Sequence, residues 1–255
     1  MLIIISPAKR LDFSNNSSVS KFEKPLFLKQ SQKLVDIMRK KTVKEIAELM
    51  SLSDKLAQLN KERYQNFKTP FNLQNAKQAI FAFKGDVYQG MNVDTFEKKD
   101  IEYAQRHLRI LSGLYGVLSP LDLIMPYRLE MGTRLKIGND PDLYHYWRES
   151  VTQEMNSRLS SGKHNALINL ASREYSRVVD FSRFKKPVVT PVFKEKQKGT
   201  YKIIGIFAKK ARGMMSRHIL LNRIKTVDDI KSFKEEGYRF NKKMSSESEM
   251  VFCRG

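Results

Sequence analysis

The segment that most constrains the fold is an unbroken aliphatic run near the amino terminus. Leu2–Ile5 is followed at once by Ser6-Pro7, so its length and its proline stop predict a buried strand rather than a helix. Further strand candidates alternate with helical patterns, at residues 79–83, 166–170, 188–193 and 201–207. This alternation predicts a mixed α/β (α+β) fold in which helices flank a mixed sheet.

Helical patterns account for much of the remaining chain. They cover residues 26–67, 100–107, 140–159 and 209–222, and a shorter helix is predicted from Thr226. A Lys-rich turn after residue 193 predicts a β-hairpin, and the Ser- and Asn-rich residues 14–25 predict a surface loop. Because the chain has neither an internal repeat nor a low-complexity linker, we expect a single large domain spanning residues 1–255.

Two short helices joined by a tight turn are predicted within residues 42–67. Thr42 and Glu45 have the spacing of a capping box at the start of the first helix. The apolar residues that share one face of this helix are Val43, Ile46, Ala47 and Met50. The second helix restarts at Ser53, and its predicted inward residues are Leu52, Leu56 and Leu59.

This pair of helices is similar to a helix-hairpin-helix, an element whose turn can hold a phosphate through backbone N–H groups. The turn is Ser51-Leu52-Ser53, with Lys55 in the first turn of the second helix, and serines occupy both positions where such elements usually have glycine. The sequence therefore leaves two interpretations open. The hairpin contacts DNA, or it is an ordinary packing element.

The charge balance is the strongest bulk property. The 255 residues include 47 Lys+Arg against 27 Asp+Glu, which gives a formal net charge of +20. Such an excess favours salt-dependent binding to phosphate backbones, although a basic surface can also serve solubility alone. No stretch has the roughly 20 apolar residues of a membrane span, and there is no secretory leader. We therefore expect a cytoplasmic protein without a membrane partner.

The possible metal ligands are sparse. Cys253 is the single cysteine and has no internal disulfide partner, so it is either a tolerated residue or a peroxide-reactive thiol. The histidines are far apart in the sequence and none is near the cysteine: His107, His145, His164 and His218. The sequence predicts no metal site and no cofactor.

The last long helix carries the most informative basic run. Lys209, Lys210, Arg212 and Arg217 lie within ten residues, and apolar residues at 211, 214 and 215 turn toward another face. Lys209 and Lys210 are expected in the first turn, where the helix dipole disfavours cations unless an anion is bound. The alternatives are a phosphate-binding face and an ordinary solvated face.

Two further groups of residues follow strand-like segments. Lys9 and Arg10 come after the first strand, at the end where ligands gather in α/β sheets, and Ser6 with Lys9 has the spacing used by some acyl-transfer enzymes. Glycine-marked turns bring Lys84 and Arg109 close to tyrosines that offer a stacking face for a nucleotide. An ordinary turn is the alternative interpretation in each case. Neither Glu130 nor Glu174 has a second carboxylate at a distance that the sequence establishes.

Taken in order, these segments resemble the YaaA family of peroxide stress proteins. The resemblance runs nearly from end to end, through residues 1–9, 82–88, 107–122, 126–132, 168–172, 208–217 and 233–238. It implies a single-domain, cytosolic α/β protein that helps cells to survive hydrogen peroxide. It also implies a lowering of free intracellular iron, and DNA binding through a positively charged cleft with a helix-hairpin-helix-like element.

The resemblance also implies a set of DNA-binding residues. Carried over by motif, with Arg10 added, they are Lys9, Arg10, Lys84, Arg109, Arg128, Lys209, Lys210, Arg212 and Arg217. Two positions depart from the family pattern, since Arg10 replaces a common threonine and Arg173 replaces a common acidic residue. Both changes add positive charge, and they put in doubt any role that needed the hydroxyl or the carboxylate.

Two functions remain in competition at this point. The first is a DNA-binding protective protein that contacts phosphates with little sequence preference. The second is an enzyme that acts on a nucleotide or nucleobase in the same cleft. We favour the first, which predicts DNA as the partner and no catalytic residue. Direct iron storage is disfavoured because clustered ligands are absent from the sequence.

Overall fold

The computed structural model describes residues 1–14 and 19–255. Residues 15–18, which belong to the predicted loop at 14–25, lie outside the described residues. The strands are β1 (Leu2–Ile5), β2 (Arg10–Leu11), β3 (Lys77–Gln78), β4 (Phe83–Lys84), β5 (Leu108–Ser112), β6 (Gly116–Leu118), β7 (Leu123–Ile124), β8 (Leu167–Leu170), β9 (Val188–Gln197), β10 (Thr200–Lys202), β11 (Arg239–Phe240) and β12 (Glu249–Arg254). The α-helices are α1 (Leu28–Lys40), α2 (Val43–Met50), α3 (Asp54–Asn66), α4 (Ala79–Ala82), α5 (Asp86–Met91), α6 (Lys98–His107), α7 (Leu143–Ser160), α8 (Arg173–Ser176) and α9 (Gly205–Leu221).

The large sheet has the strand order β11-β12-β9-β8-β1-β5-β6, with β10 paired to β9. Strand β1 lies inside it, parallel to β5 on one side and to β8 on the other, and all four of its residues are buried. A strand covered on both faces and paired on both edges needs apolar side chains throughout, which is why its sequence is uniformly aliphatic. The prediction of a buried first strand is confirmed.

Both pairing directions occur in this sheet. The β8–β9 and β9–β12 pairs are parallel, whereas the β5–β6, β9–β10 and β11–β12 pairs are antiparallel. Strands β9 and β10 form the predicted hairpin, whose turn contains Lys198 and Gly199 in left-handed conformations. The mixed sheet and the mixed α/β class are thus confirmed. In the described part of the chain, no helix has the length and apolar content of a membrane span.

Two predicted strands are wrong in whole or in part. Residues 79–82 form the short helix α4 and Phe83 begins β4, because a buried apolar run fits either conformation. Within 201–207, only Tyr201 and Lys202 belong to a strand, and α9 begins at Gly205. Helix α9 thus starts earlier than the predicted residue 209, which places Lys209 and Lys210 beyond its first turn. At Thr226 the predicted helix is a 3-10 segment, Asp228–Ser232.

The paired helices α2 and α3 are confirmed, but the predicted inward face of α3 is wrong. The buried side chains of α3 are Ala57, Asn60 and Tyr64, whereas Leu56 and Leu59 are 39% and 40% exposed. The Tyr64 hydroxyl donates to the Arg128 carbonyl at 2.6 Å, which fixes the orientation of the helix. The buried face of α3 thus carries two polar residues, Asn60 and Tyr64, and hydrophobic spacing alone does not reveal it.

Helices α5 and α9 cross at two glycines. A β-carbon built on Gly90 would lie 2.1 Å from the Lys210 carbonyl oxygen, and one built on Gly213 would lie 1.9 Å from that of Val87. Any larger residue at either position would force the helices apart. This close approach holds the basic face of α9 beside the turn that begins α5.

Candidate functional site

A cavity of about 340 Å³ lies at the carboxyl ends of β1 and β8. Its lining comes from four places in the sequence: residues 6–10 after β1, residues 84–89 from β4 into α5, three residues after β8 (Ser172, Glu174 and Tyr175), and Lys209 and Arg212 of α9. Adjacent parallel strands present their carboxyl ends at the same edge, so the loops that follow β1 and β8 meet there. We call this space the basic cavity.

Two serines form a fixed hydroxyl pair in the lining. Ser6 Oγ accepts a hydrogen bond from the Ser172 backbone N–H at 2.8 Å and donates to Ser172 Oγ at 3.2 Å. The Tyr88 hydroxyl donates to the Ser6 carbonyl at 3.1 Å. Lys9 does not take part, since its ammonium pairs with Glu130 at 3.1 Å. The Ser6–Lys9 spacing therefore does not form the serine-lysine pair that acyl transfer requires.

Arg212 is a cation of the basic cavity that has no internal partner among the described residues. Its side chain is half-buried, and its guanidinium makes no hydrogen bond or ion pair with any residue that the structure describes. Burial lowers the pKa of Arg212, with no neighbouring carboxylate to raise it again. A desolvated cation without a partner is unfavourable, and a bound anion would remove that cost.

The other cations of the cavity are more exposed. Arg10 and Lys209 form no ion pair within residues 1–14 and 19–255. Lys84 lies beside Asp94, with 3.5 Å between the ammonium nitrogen and a carboxylate oxygen. An ion pair this long and this exposed holds the lysine weakly, so an incoming phosphate can compete for it.

A smaller pocket adjoins the basic cavity through Pro7, Ala8, Lys9 and Tyr175. Here one oxygen of Glu130 lies 3.1 Å from Lys9 Nζ and 3.1 Å from Arg128 Nη2. The buried Nε of Arg128 has no hydrogen-bond partner among the described residues. One carboxylate shared by two cations leaves a net positive charge at this end of the cavity.

Two carboxylates also line the basic cavity. Glu174 accepts a hydrogen bond from the Gly132 backbone N–H at 3.2 Å. Asp86, the first residue of α5, has no side-chain partner in the described chain. These acids would repel a phosphate placed directly against them. They would accept hydrogen bonds from N–H groups on another part of the same ligand.

Four predicted contacts do not line this cavity: Arg128 lies in the smaller pocket, and Arg109, Lys210 and Arg217 lie elsewhere. Arg109 is only 2% exposed, and its guanidinium donates to the carbonyls of Gln105 and Leu108. Burial lowers the pKa of Arg109 to about 10. Lys210 pairs with Glu236 on the other side of α9. Arg217 donates to the carbonyls of Met91 and Asn92 at 3.1 and 3.0 Å, and so ties α9 to the end of α5.

The helical hairpin is also separate from the basic cavity, since none of its residues lines that space. The capping box is confirmed, because Thr42 Oγ1 accepts from the Glu45 N–H at 3.2 Å and the Glu45 carboxylate accepts from the Thr42 N–H at 2.6 Å. In the turn, the N–H groups of Ser51 and Leu52 bond to helical carbonyls. Ser53 begins α3, and its side chain makes no capping bond. DNA contact by this hairpin, including Lys55, stays a prediction.

Cys253 lies on β12, where it is buried and where burial raises the pKa of its thiol. A raised pKa lowers the thiolate fraction, which disfavours the interpretation as a peroxide-reactive thiol. Across residues 1–14 and 19–255, no group of three or more His, Cys, Asp or Glu side chains is placed to hold a metal ion.

Sequence reasoning missed several residues of the basic cavity. The Ser6–Ser172 hydroxyl pair joins two positions that are 166 residues apart, Tyr175 follows Ser172 closely, and Asp86 comes from a third segment. One signal was present in the sequence. Ser6 and Ser172 each follow a buried strand closely, and parallel strands bring such positions together at one edge.

Comparisons with known proteins agree with the motif resemblance. A family described as "Peroxide stress protein YaaA" matches residues 1–244. The chain is 48% identical over 254 residues to a UPF0246 protein of Hahella chejuensis, which covers 100% of this chain and 99% of the relative. It is also 48% identical over 254 residues to a UPF0246 protein of Colwellia psychrerythraea, with 100% and 99% coverage. The resemblance inferred from the motifs is confirmed.

Proposed function

Because the chain belongs to the YaaA family of peroxide stress proteins, we propose that it acts in the hydrogen peroxide stress response by binding DNA in the cytoplasm. In this proposal the protein contacts phosphates through the basic cavity and protects the DNA that it covers. The lowering of free intracellular iron that the resemblance implies remains part of the proposal, with no residue assigned to it.

The observation that carries this proposal is the uncompensated guanidinium of Arg212. Desolvated cations in folded proteins normally have an anionic partner, and Arg212 has none among the described residues. Arg10, Lys84 and Lys209 line the same cavity, so an anion placed there would be attracted by several cations at once. A phosphodiester satisfies this arrangement without any reading of base sequence.

Binding of this kind has a characteristic dependence on salt. Each phosphate that a cation neutralises releases condensed counterions, so the affinity falls steeply as salt rises. We therefore expect binding of a random duplex to weaken by at least tenfold between low and moderate salt. The logarithmic slope should also decrease by about one for each contacting cation that is removed.

The experiment compares two double variants that remove the same charge. Lys209→Ala/Arg212→Ala removes cations of the basic cavity, and Lys185→Ala/Lys186→Ala removes exposed, unpaired lysines elsewhere. Fluorescence anisotropy with a labelled duplex over a salt series measures affinity and slope. We expect the cavity variant to bind at least tenfold more weakly, with a slope lower by about one to two. Equal behaviour of the two variants would rule out the cavity as the contact.

A second function is favoured by the polar lining of the same cavity. The fixed pair of serines and the unpartnered Asp86 are groups that can hold the sugar or base of a nucleotide during a reaction. Incubation with nucleotides and nucleosides, followed by chromatographic detection of products, tests this alternative. Turnover that is abolished by Lys84→Ala would establish it, whereas DNA binding without turnover would support the first proposal.

A further inference from the structure

The first turn of α9 presents an apolar surface that the fold does not use. Ile203 and Ile206 are 59% and 60% exposed, and Phe207 is also exposed. Arg254 covers one face of the Phe207 ring at 5.0 Å, so the two isoleucines are the uncovered members. Large apolar side chains this exposed cost solubility, and a cluster of them is a common mark of an interaction surface. We call Ile203 and Ile206 the apolar knob.

The apolar knob lies next to the basic cavity. Ile206 and Lys209 are three residues apart on α9, so their side chains are neighbours on its surface, and Lys209 lines the cavity. Lys202 and Lys209 flank the knob in the sequence, and both are exposed. Apolar side chains within a basic surface suit a partner that offers phosphates together with stackable apolar rings. Nucleic acid has both.

The basic cavity sets a limit on what can enter it. Its volume of about 340 Å³ is at the lower end of small-molecule sites, which span roughly 300–1,000 Å³. A duplex is far too wide to enter, but one nucleotide fits. The lining matches the parts of a nucleotide, since Val87, Tyr88 and Tyr175 offer apolar surface for a base and Arg212 offers charge for a phosphate.

From these two features we propose that the basic cavity takes a single nucleotide displaced from a DNA duplex, while the apolar knob enters the opened stack beside it. The inference rests on the proposed DNA binding and adds the form in which DNA is bound. Proteins that open DNA commonly insert an apolar wedge between bases, and a displaced nucleotide is then held in a closed pocket. The unstacking cost is least where a base is already unpaired.

The proposal predicts a preference for duplexes with an unpaired nucleotide. The probes are two labelled duplexes of one sequence, fully paired or with one 2-aminopurine opposite an abasic site. We expect at least tenfold tighter binding of the second duplex, and a rise in 2-aminopurine fluorescence as the base leaves the stack. Ile206→Ser should reduce the preference, measured as the ratio of the two affinities, by about fivefold or more.

A matched control is Leu26→Ser, which changes a residue that is 58% exposed but lies before α1. It should bind both duplexes as the parent does. Equal affinity of the parent for the two duplexes, without a fluorescence change, would overturn the inference and leave DNA binding intact. Absence of all DNA binding would instead remove the proposed function, and the inference with it.

Two further arms separate other occupants. In the first, free deoxyadenosine monophosphate is added as a competitor at concentrations up to the millimolar range. Complete displacement by micromolar monophosphate, with no preference between duplexes, would assign the cavity to free nucleotides. In the second, vesicles of phosphatidylglycerol replace DNA. Vesicle binding that Ile206→Ser abolishes, with DNA binding unchanged, would assign the apolar knob to a membrane surface. Either result would overturn the inference.

Discussion

The two sides of α9 treat positive charge in opposite ways. Toward the basic cavity, Lys209 and Arg212 have no carboxylate partner in the described residues. On the other side, Lys210 pairs with Glu236, which also lies 3.1 Å from Arg254. Because paired and unpaired cations occur on the same helix, a local shortage of acidic residues does not explain why Lys209 and Arg212 lack a partner. It separates cations that hold the fold together from cations that are available to a ligand.

The paired side is a connected network around β9 and β12. Arg254 donates to Glu195 at 2.8 Å, and the Tyr238 hydroxyl donates to the other oxygen of this carboxylate. Glu195 is only 9% exposed, so its charge depends on these partners. A network of this kind costs little while it is complete, but loss of one partner leaves a buried charge unpaired.

Gly213→Ala should have the largest effect, because it disturbs the helix that both sides share. The added methyl group would collide with the Val87 carbonyl oxygen, and we expect a loss of about 2–3 kcal/mol in the free energy of unfolding. Urea unfolding followed by circular dichroism measures it. The control is Gly205→Ala on the same helix, where a β-carbon meets no atom within 4 Å. Its stability should be unchanged or slightly higher, and a similar loss in both variants would contradict the tight crossing.

Arg254→Met should have the next largest effect, and only on the paired side. It leaves the Glu195 carboxylate with the Tyr238 hydroxyl alone, and we expect a loss of about 2 kcal/mol in the free energy of unfolding. Arg183→Met is the control, since its ion pair with Glu149 is exposed and should contribute less than about 1 kcal/mol. Losses of equal size in chemical unfolding would show that burial of Glu195 is not what matters.

Arg212→Met should not destabilise the protein. The substitution removes a desolvated cation that has no partner and keeps most of the apolar contact, so stability should stay the same or rise by up to about 1 kcal/mol. Affinity for DNA should fall in the same preparation. A loss of more than about 1 kcal/mol in urea unfolding would mean that Arg212 supports the fold and would remove the contrast between the two sides.

The smallest effect is a dependence on pH that belongs to the paired side. The hydrogen bond from Lys210 holds the pKa of Glu236 below its ordinary value of 4.5. Because the folded-state pKa is lowered, the charged Glu236 stabilises the folded protein above the ordinary pKa. This contribution is lost as the pH falls through the folded-state pKa. Between pH 6 and 3, Lys210→Met should therefore lose less stability than the parent. Lys209→Met, which has no carboxylate partner, should follow the parent, and a parallel decline in all three would contradict this assignment.

Hydrophobic periodicity, together with the residues that begin and end helices and strands, predicted most of the fold. Leu2–Ile5 was identified because a strand buried on all sides must be aliphatic throughout, and Thr42 and Glu45 because a capping box is a local interaction. Residues 79–82 form a helix rather than the predicted strand because an apolar run of this length fits a buried helix equally well.

The predicted residues line the cavity where strand ends converge, and they lie outside it where burial or pairing with a distant segment decides their position. Lys9, Arg10 and Lys84 line the cavity as the position of strand ends suggested. Arg109 does not line the cavity because it lies within β5, between buried neighbours, and the sequence does not show that its guanidinium donates to backbone carbonyls. Lys210 has its partner, Glu236, on a distant segment, so its pairing was invisible until the chain was folded.

The glycines at the α5–α9 crossing determine which cations face the cavity. Successive side chains on a helix differ in direction by about 100°, so Lys209 and Lys210 point to different sides of α9. Contact between the backbones at Gly90 and Gly213 allows neither rotation of α9 about its axis nor sliding along α5. The absence of a side chain at these two positions therefore fixes the rotation of α9 about its own axis. If α9 were rotated by one residue, Lys210, which pairs with Glu236, would face the cavity in place of the exposed Lys209.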